Sequence, residues 1–353
     1  MSATARYGDP LLDDGTALTE SGVPARPLVV LELDDLCDAP AERVELTASR
    51  IRDSVALVVG VLRRPSTERL EPALTATTMT LSELPAPAYL KPLVTVPDID
   101  DCLEILRTAV ARSPQAALCL GQLLHRNAAQ PTMPALAAEA AVYSMLLGGT
   151  EFARWLGERG PLPQAVDTQD PLVRLHRTGE HLAIVLDHPR RRNALSVRLR
   201  EELLAAAQVA AADPTITSIE LSGAGPVFCS GGDLAEFGMS TDPVAAYLVR
   251  LERAPWRVLD RLADRLVVHT HGACIGAGAE LAAFAGTVTA TARTYFRFPE
   301  VRMGLVPGAG GTVGVPRRIG RWRAAWLMLS EQRLDARTAL RWGLVDRIVD
   351  ERG

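Results

Sequence analysis

Residues His271–Gly286 read HGACIGAGAELAAFAG. The β-branched run Leu266-Val267-Val268 leads in, the loop carries Gly272, Gly276 and Gly278, and an apolar, Ala-rich segment of good helix propensity follows. A strand, a glycine loop and a helix start together point free backbone N–H groups at whatever lies above the loop. Glu280 falls at the beginning of that helix, where a carboxylate facing a pocket can act on a ligand. A plain strand-to-helix connection with a solvated Glu accounts for the stretch equally well, since short glycine patterns are weak signals. The surrounding sequence decides between the two.

At 353 residues the chain holds one large domain or two moderate ones, and 48% hydrophobic residues allow a sizeable core. Its net charge is −4 with Lys and Arg scattered, which gives no basic stripe for nucleic acid. Cys37, Cys102, Cys119, Cys229 and Cys274 are widely spaced, without a C-x-x-C pair, and read as reduced, mostly buried thiols. No apolar run approaches the roughly 20 residues that span a bilayer, and the polar start MSATARYGDPLLDDG lacks a signal-peptide core. The expectation is a soluble, cytoplasmic protein with neither nucleic acid nor membrane as partner.

Residues 1–26 have no hydrophobic period and are expected to form a flexible tail. Residues 27–97 read as a small α/β segment, with strands at Pro27–Leu33 and Val55–Leu62 around a helix at Ala41–Asp53. Leu81–Pro97 is expected to be largely irregular, with a short strand at Val94–Val96. Residues 98–160 read as a helical module. Asp98 or Asp100 caps its first helix, further helices run from about Pro114 to Asn127 and Pro134 to Leu147, and a short one spans Thr150–Glu158. The proline-rich stretch 161–171 is the expected linker. In 172–353, strands at Leu172–Arg177, His181–Leu186, Thr217–Leu221, Leu266–His269 and Thr287–Ala290 alternate with helices such as Val197–Ala212, which argues for an α/β domain with crossover connections.

Two more segments carry chemistry. Ser222–Phe237, SGAGPVFCSGGDLAEF, is a second glycine loop, expected to open a helix near Asp233. Two such loops on one sheet can aim their amides at a single oxygen and stabilise an enolate. Tyr295–Thr312, YFRFPEVRMGLVPGAGGT, places Glu300 after a short extended segment and before another glycine turn. No His/Cys cluster with metal spacing and no dinucleotide fingerprint is present.

Over about Val173–Asp350 the sequence resembles the crotonase superfamily, also called the enoyl-CoA hydratase/isomerase family. The resemblance rests on HPRRRNALS (His188–Ser196), the two glycine loops, FPEVRMGLVPGAGGT and Arg318–Val349. It implies an α/β fold: a crotonase-like ββα-spiral core, here preceded by the small α/β piece and the helical module. It implies an acyl-CoA thioester as partner, with CoA entering only as part of the substrate and no separate cofactor or metal, and a homo-oligomer, trimer or hexamer. The backbone N–H groups of Gly232 and Ala277 would form the oxyanion hole. Glu280 would chiefly activate water and Glu300 chiefly protonate Cα, so that two carboxylates in one apolar site divide base and acid roles. Backbone around Arg192, Ala194, Cys229, Ser230 and Gly231, together with Gly276 and Gly310, would contact substrate. Arg190–Arg192 either meet the CoA phosphates or form an exposed basic turn.

Several residues depart from the family pattern. Ala277 stands where most relatives have Gly, which narrows its φ/ψ range. Arg297 replaces a usual Gly and is expected to pair with Glu300 or to reshape the acyl pocket, and Gly286 replaces a common Asp. Relatives continue into helices that cover the site, whereas this sequence stops at Gly353. Ala111–Asn127 and Ala137–Gly160 are similar to those terminal helices, so the module is expected to precede the core, the alternative being an unrelated helical domain packed beside it; the α/β piece before it reads as a remnant of a degenerate crotonase core. The leading expectation is an enoyl-CoA hydratase. The alternatives are other enolate chemistry (isomerase, decarboxylase or cofactor-independent oxygenase) or a catalytically silent acyl-CoA-binding or partner subunit.

Overall fold

The apolar runs at the start of the chain become a sheet buried on both faces. In the computed structural model, which describes residues 4–5, 18–20, 22, 25–87, 89–162 and 169–350, strands β1 (Thr4–Ala5), β2 (Leu28–Glu32), β3 (Leu57–Val61), β4 (Met79–Ser82) and β5 (Leu93–Thr95) lie side by side in chain order, all parallel. Val29, Leu31 and Val58 pack on Val44, Ala48 and Ile51 of helix α1 (Ala41–Asp53), with α2 (Glu71–Ala76) beside them. Leu28, Val30, Val59 and Leu81 turn the other way, into the main core. A parallel sheet covered on both faces leaves no room for polar alternation, which is why β2 and β3 read as continuous apolar runs.

The segment Leu81–Pro97 carries the expected short strand as β5, and β4 overlaps its first two residues. Within the expected tail, Thr4 and Ala5 pair with Val30 and Leu31; most of its other residues, like 163–168 of the expected linker, lie outside the described residues.

The helical module forms as its spacing predicts: α3 (Ile99–Arg112), α4 (Pro114–Asn127), α5 (Thr132–Leu147) and α6 (Thr150–Arg159). The Asp98 carboxylate caps α3 by accepting from Asp101 N at 2.8 Å. The carboxylate of Glu151 on α6 accepts from Gln115 N (2.8 Å) and Ala116 N (3.0 Å), so a negative group sits at the positive end of α4.

In the second half, β6 (Val173–Thr178) runs antiparallel to β7 (His181–Leu186). Parallel strands β8 (Ser218–Gly223), β9 (Leu266–Thr270), β11 (Thr287–Thr291) and β14 (Arg347–Val349) follow outward in that order. A smaller sheet joins β10 (Ala273–Ile275), β12 (Tyr295–Arg297) and β13 (Leu334–Asp335). The helices are α7 (Val197–Ala212), α8 (Pro243–Glu252), α9 (Pro255–Arg261), α10 (Ala277–Ala282), α11 (Gly311–Ile319), α12 (Arg321–Ser330) and α13 (Ala336–Trp342).

The two halves share one hydrophobic cluster. Helix α12 is buried almost all round, as a helix enclosed on every side must be. It packs on β4, β5, α3 and α4, and its Arg321 guanidinium donates to Thr77 O at 3.0 Å and to Thr75 O. Helices α4 and α5 lie on α11, and α5 also lies on α8. Gly304 follows the turn after Glu300 at φ 74°, and a Cβ there would come within 2.5 Å of Phe152 N. Close approach of α6 to that turn therefore requires glycine.

Candidate active site

The expected strand–loop–helix forms at β9–β10–α10. Gly276 sits at φ 47°, and a Cβ on it would lie 2.2 Å from Glu300 Oε1 and 4.0 Å from Glu280 Oε1. Glycine is thus needed twice over, by the backbone and by the Glu300 carboxyl that closes over it. Ala277 is the first residue of α10 and lies outside the positive-φ region, so its methyl costs no backbone strain. Its N–H belongs to the unsatisfied first turn.

The second loop behaves differently from its expectation. No α-helix opens at Asp233; a single 3-10 turn, Leu234–Glu236, follows, with Asp233 capping it and gripping Arg191 through both carboxylate oxygens at 2.6 and 2.8 Å. Leu195 bridges this loop by donating to Gly231 O (2.7 Å) and accepting from Asp233 N (3.2 Å), which passes over the Gly232 N–H. The buried Asn193 side chain ties the loop down, donating to Ala224 O, Val227 O and Phe228 O.

A cavity of about 420 Å³ receives both glycine loops and both glutamates: Gly232, Ala277, Glu280 and Glu300 all line it. Glu280 Oε2 accepts from Ala309 N (2.7 Å) and Gly311 N (2.8 Å), while Glu300 Oε2 is buried without a partner among the described residues. Burial pushes the Glu300 carboxyl up to about 8. Burial, then the charges of Glu300 and Glu139, hold Glu280 well above the usual carboxylate range. Neighbouring buried carboxyls cannot all ionise together. Two amide donors from the facing loop favour charge on Glu280, whereas Glu300 Oε2 has no donor among the described residues, which favours the proton there.

The backbone around Arg192–Ala194 and Cys229–Gly231, expected at the CoA adenine end, is not part of the cavity lining. Arg192 is exposed at φ 54°, its carbonyl accepting from Ser230 N (3.0 Å); Ala194 and Cys229 are buried, and neither they nor Ser230, Gly231 and Gly276 line the cavity. Gly310 donates its N–H to Glu139 at 2.6 Å. Arg297 does not pair with Glu300; it bonds Glu331 Oε2 at 3.0 Å. Among the described residues no group of three or more His, Cys, Asp or Glu is placed to hold a metal, and no helix is long and apolar enough to cross a membrane.

A family model described as Enoyl-CoA hydratase/isomerase matches residues 179–352. The chain is 33% identical over 167 residues to 2,3-dehydroadipyl-CoA hydratase of Escherichia coli (strain K12), covering 47% of this chain and 65% of that one. It is 32% identical over 180 residues to mevalonyl-coenzyme A hydratase of Beauveria bassiana (strain ARSEF 2860), covering 49% and 64%. A solved enoyl-CoA hydratase from Thermoplasma volcanium GSS1 is 32% identical, covering 52% of this chain and 73% of that one, with a TM-score of 0.47. The chain belongs to the enoyl-CoA hydratase/isomerase family. It spans just under two thirds of the length of the two curated relatives, and the fold of its second half is the crotonase α/β fold.

What family reading of the second half misses comes from the first. Glu139 on α5 is buried, and its carboxylate accepts from Gly310 N (2.6 Å), Thr312 N (2.9 Å) and Thr312 Oγ1 (2.6 Å). Successive amides of the loop thus alternate between two glutamates: Ala309 and Gly311 to Glu280, Gly310 and Thr312 to Glu139. Tyr143, one turn further along α5, lines the cavity itself. The signal for Glu139 was present as the one charge in TMPALAAEAAVYSMLL, since a lone carboxylate on an apolar helix needs buried donors.

Glu139→Gln is expected to destabilise the protein by about 1–3 kcal/mol. Both carboxyl oxygens face an N–H, and an amide nitrogen has no lone pair to offer either one. Burial pushes Glu139 up to about 7, above its unfolded value near 4.5, so the native state binds the extra proton between those pH values. Its contribution to stability is present below about 4.5 and lost as pH rises through about 7. Urea midpoints at pH 5.5 and 8 should therefore differ less in Glu139→Gln than in the wild type; an unchanged difference would remove Glu139 from the account.

Proposed function

We propose that this protein adds water across the conjugated double bond of an α,β-unsaturated acyl-CoA. The observation that carries the reading is that Glu280 and Glu300 reach one cavity beside the loop amides of Gly232 and Ala277. The thioester carbonyl oxygen accepts from those two N–H groups, which stabilise the charge it gains in the enolate. Glu280, its second oxygen fixed by Ala309 N and Gly311 N, takes a proton from water as the water oxygen bonds to Cβ. Glu300 then gives its proton to Cα, and the carbonyl re-forms. The hydratases among the relatives support the same reading.

Helices α4–α6 are proposed to play the part of the terminal helices that cover the site in family members, with Tyr143 and Leu147 of α5 forming part of the cavity wall. The test of function is direct: purified protein mixed with a panel of enoyl-CoAs should remove the conjugated-thioester absorbance and yield 3-hydroxyacyl-CoA. Double-bond migration without water uptake would replace hydration with isomerisation. Tight acyl-CoA binding with neither reaction nor deuterium exchange at Cα would make the chain a silent binding subunit.

A further inference from the structure

The cavity that holds the two glutamates also holds two arginines that its own carboxylates meet at 3.9 Å or, among the described residues, not at all. Arg200 on α7 and Arg250 on α8 both line it, along with apolar groups such as Leu147, Phe237 and Trp256. The acidic residues of the same wall are engaged elsewhere. Asp233 is held by Arg191, Glu236 accepts from Val197 N at 2.8 and 3.1 Å, and Glu201 pairs with Arg253 at 2.6 Å. The carboxylate nearest Arg200 is Glu201, at 3.9 Å, although the Arg200 side chain is only 15% exposed. Arg250 makes no ion pair among the described residues; its Nη1 donates to Gly308 O at 2.9 Å and its guanidinium lies 3.5 Å from the Tyr143 ring centroid. The Nε atoms of both arginines are buried without a partner.

Two half-buried guanidiniums, one whose nearest carboxylate stands 3.9 Å away and is shared with Arg253 and one with no ion pair among the described residues, are costly unless something supplies more negative charge. We propose that Arg200 and Arg250 form an anion subsite that takes a carboxylate carried at the far end of the acyl group, making the preferred substrate the mono-CoA thioester of a dicarboxylic acid. The proposal rests on the acyl-CoA reading and narrows it. Tyr143 sets the direction, since Arg250 covers its ring and the charges of Glu300 and Glu280 also reach its phenol. Arg250, Tyr143 and the two glutamates thus line one cavity, with Arg250 stacked on the Tyr143 ring. Burial, and then the charge of Arg250, hold Arg200 below the usual arginine range, as expected of two cations sharing one enclosed space. A guanidinium fork fits a carboxylate with two parallel hydrogen bonds, and an alkyl end satisfies neither.

The test is calorimetric binding of two saturated thioesters, glutaryl-CoA and hexanoyl-CoA, which share the whole CoA moiety. The wild type should bind glutaryl-CoA at least about tenfold more tightly, the scale of a buried charge-assisted pair. In Arg200→Met, where no side-chain hydrogen bond is lost, and in Arg250→Met that ratio should fall toward one. Arg250→Lys, which keeps the charge, should retain part of the preference. Equal wild-type affinities overturn the proposal and leave the acyl-CoA reading standing. Equal losses for both ligands in the variants also overturn it, by assigning the arginines to CoA phosphates. If the wild type binds neither thioester, the acyl-CoA reading falls and the subsite with it.

Discussion

Glu280→Gln and Glu300→Gln are each expected to cut enoyl-CoA hydration by on the order of 10²-fold or more. Glutamine keeps the size of the side chain and removes its proton chemistry, while the Gly232 and Ala277 amides proposed to bind the thioester remain. Loss should therefore appear in kcat more than in KM. The two variants should differ in one respect. Glu280 Oε2 accepts from two backbone N–H groups, and an amide oxygen can replace that acceptor only by turning its NH₂ toward the cavity. Glu300 Oε2 has no partner among the described residues to lose, so Glu300→Gln should be the more stable of the two. The pH profile adds a second readout. Burial pushes Glu300 up to about 8, so its proton is in place at neutral pH and the rate should fall as pH rises past about 8. That limb should be missing from the residual activity of Glu300→Gln. Cα exchange in deuterated solvent that survives in Glu280→Gln but not in Glu300→Gln would fit the assigned roles. Wild-type rates in both variants would refute the assignment.

The second half of the chain was legible because its signals are local. Glycines at 276 and 304 answer to positive φ and to atoms within reach of a missing Cβ, and such demands leave fixed residues in the sequence. Caps were equally readable, as with Asp98 before α3. What stayed hidden depends on distant partners. Strand β4 is four residues of Met, Thr, Leu and Ser, and it is a strand because β3 and β5 flank it, not because its residues demand it. The partner of Arg297 is Glu331, 34 positions away, and nothing in the spacing selects it over Glu300, three positions away. Glu139 lies 171 residues before the amide that it accepts from. Its lone charge in an apolar helix announced a buried partner without naming one.

That distance makes the first half indispensable to the second, and a chain beginning at Asp170 is expected to be insoluble or inactive. Without α4–α6 the catalytic half loses the buried side chains of Leu120, Leu124, Tyr143, Leu146 and Phe152, all within the shared core. At about 1.5–3 kcal/mol for each fully buried large side chain, their loss is on the order of 10 kcal/mol, as large as the whole stability of an ordinary domain. Newly bared apolar surface on α11 and α12 would favour aggregation. The site would suffer separately. With Glu139 gone, the N–H groups of Gly310 and Thr312 lose their acceptor, and the loop that presents Ala309 and Gly311 to Glu280 loses half of its anchorage. The aromatic contact of Trp155 with Phe237, at 5.9 Å between ring centroids, would no longer hold the wall beside Gly232. Supplying residues 98–160 as a separate chain during refolding separates the two effects. Recovery of soluble, active protein with a wild-type helix segment, and of soluble but poorly active protein with Glu139→Ala in that segment, is the expected result. A soluble and fully active chain from Asp170 alone would show that the catalytic half needs neither the cover nor the carboxylate.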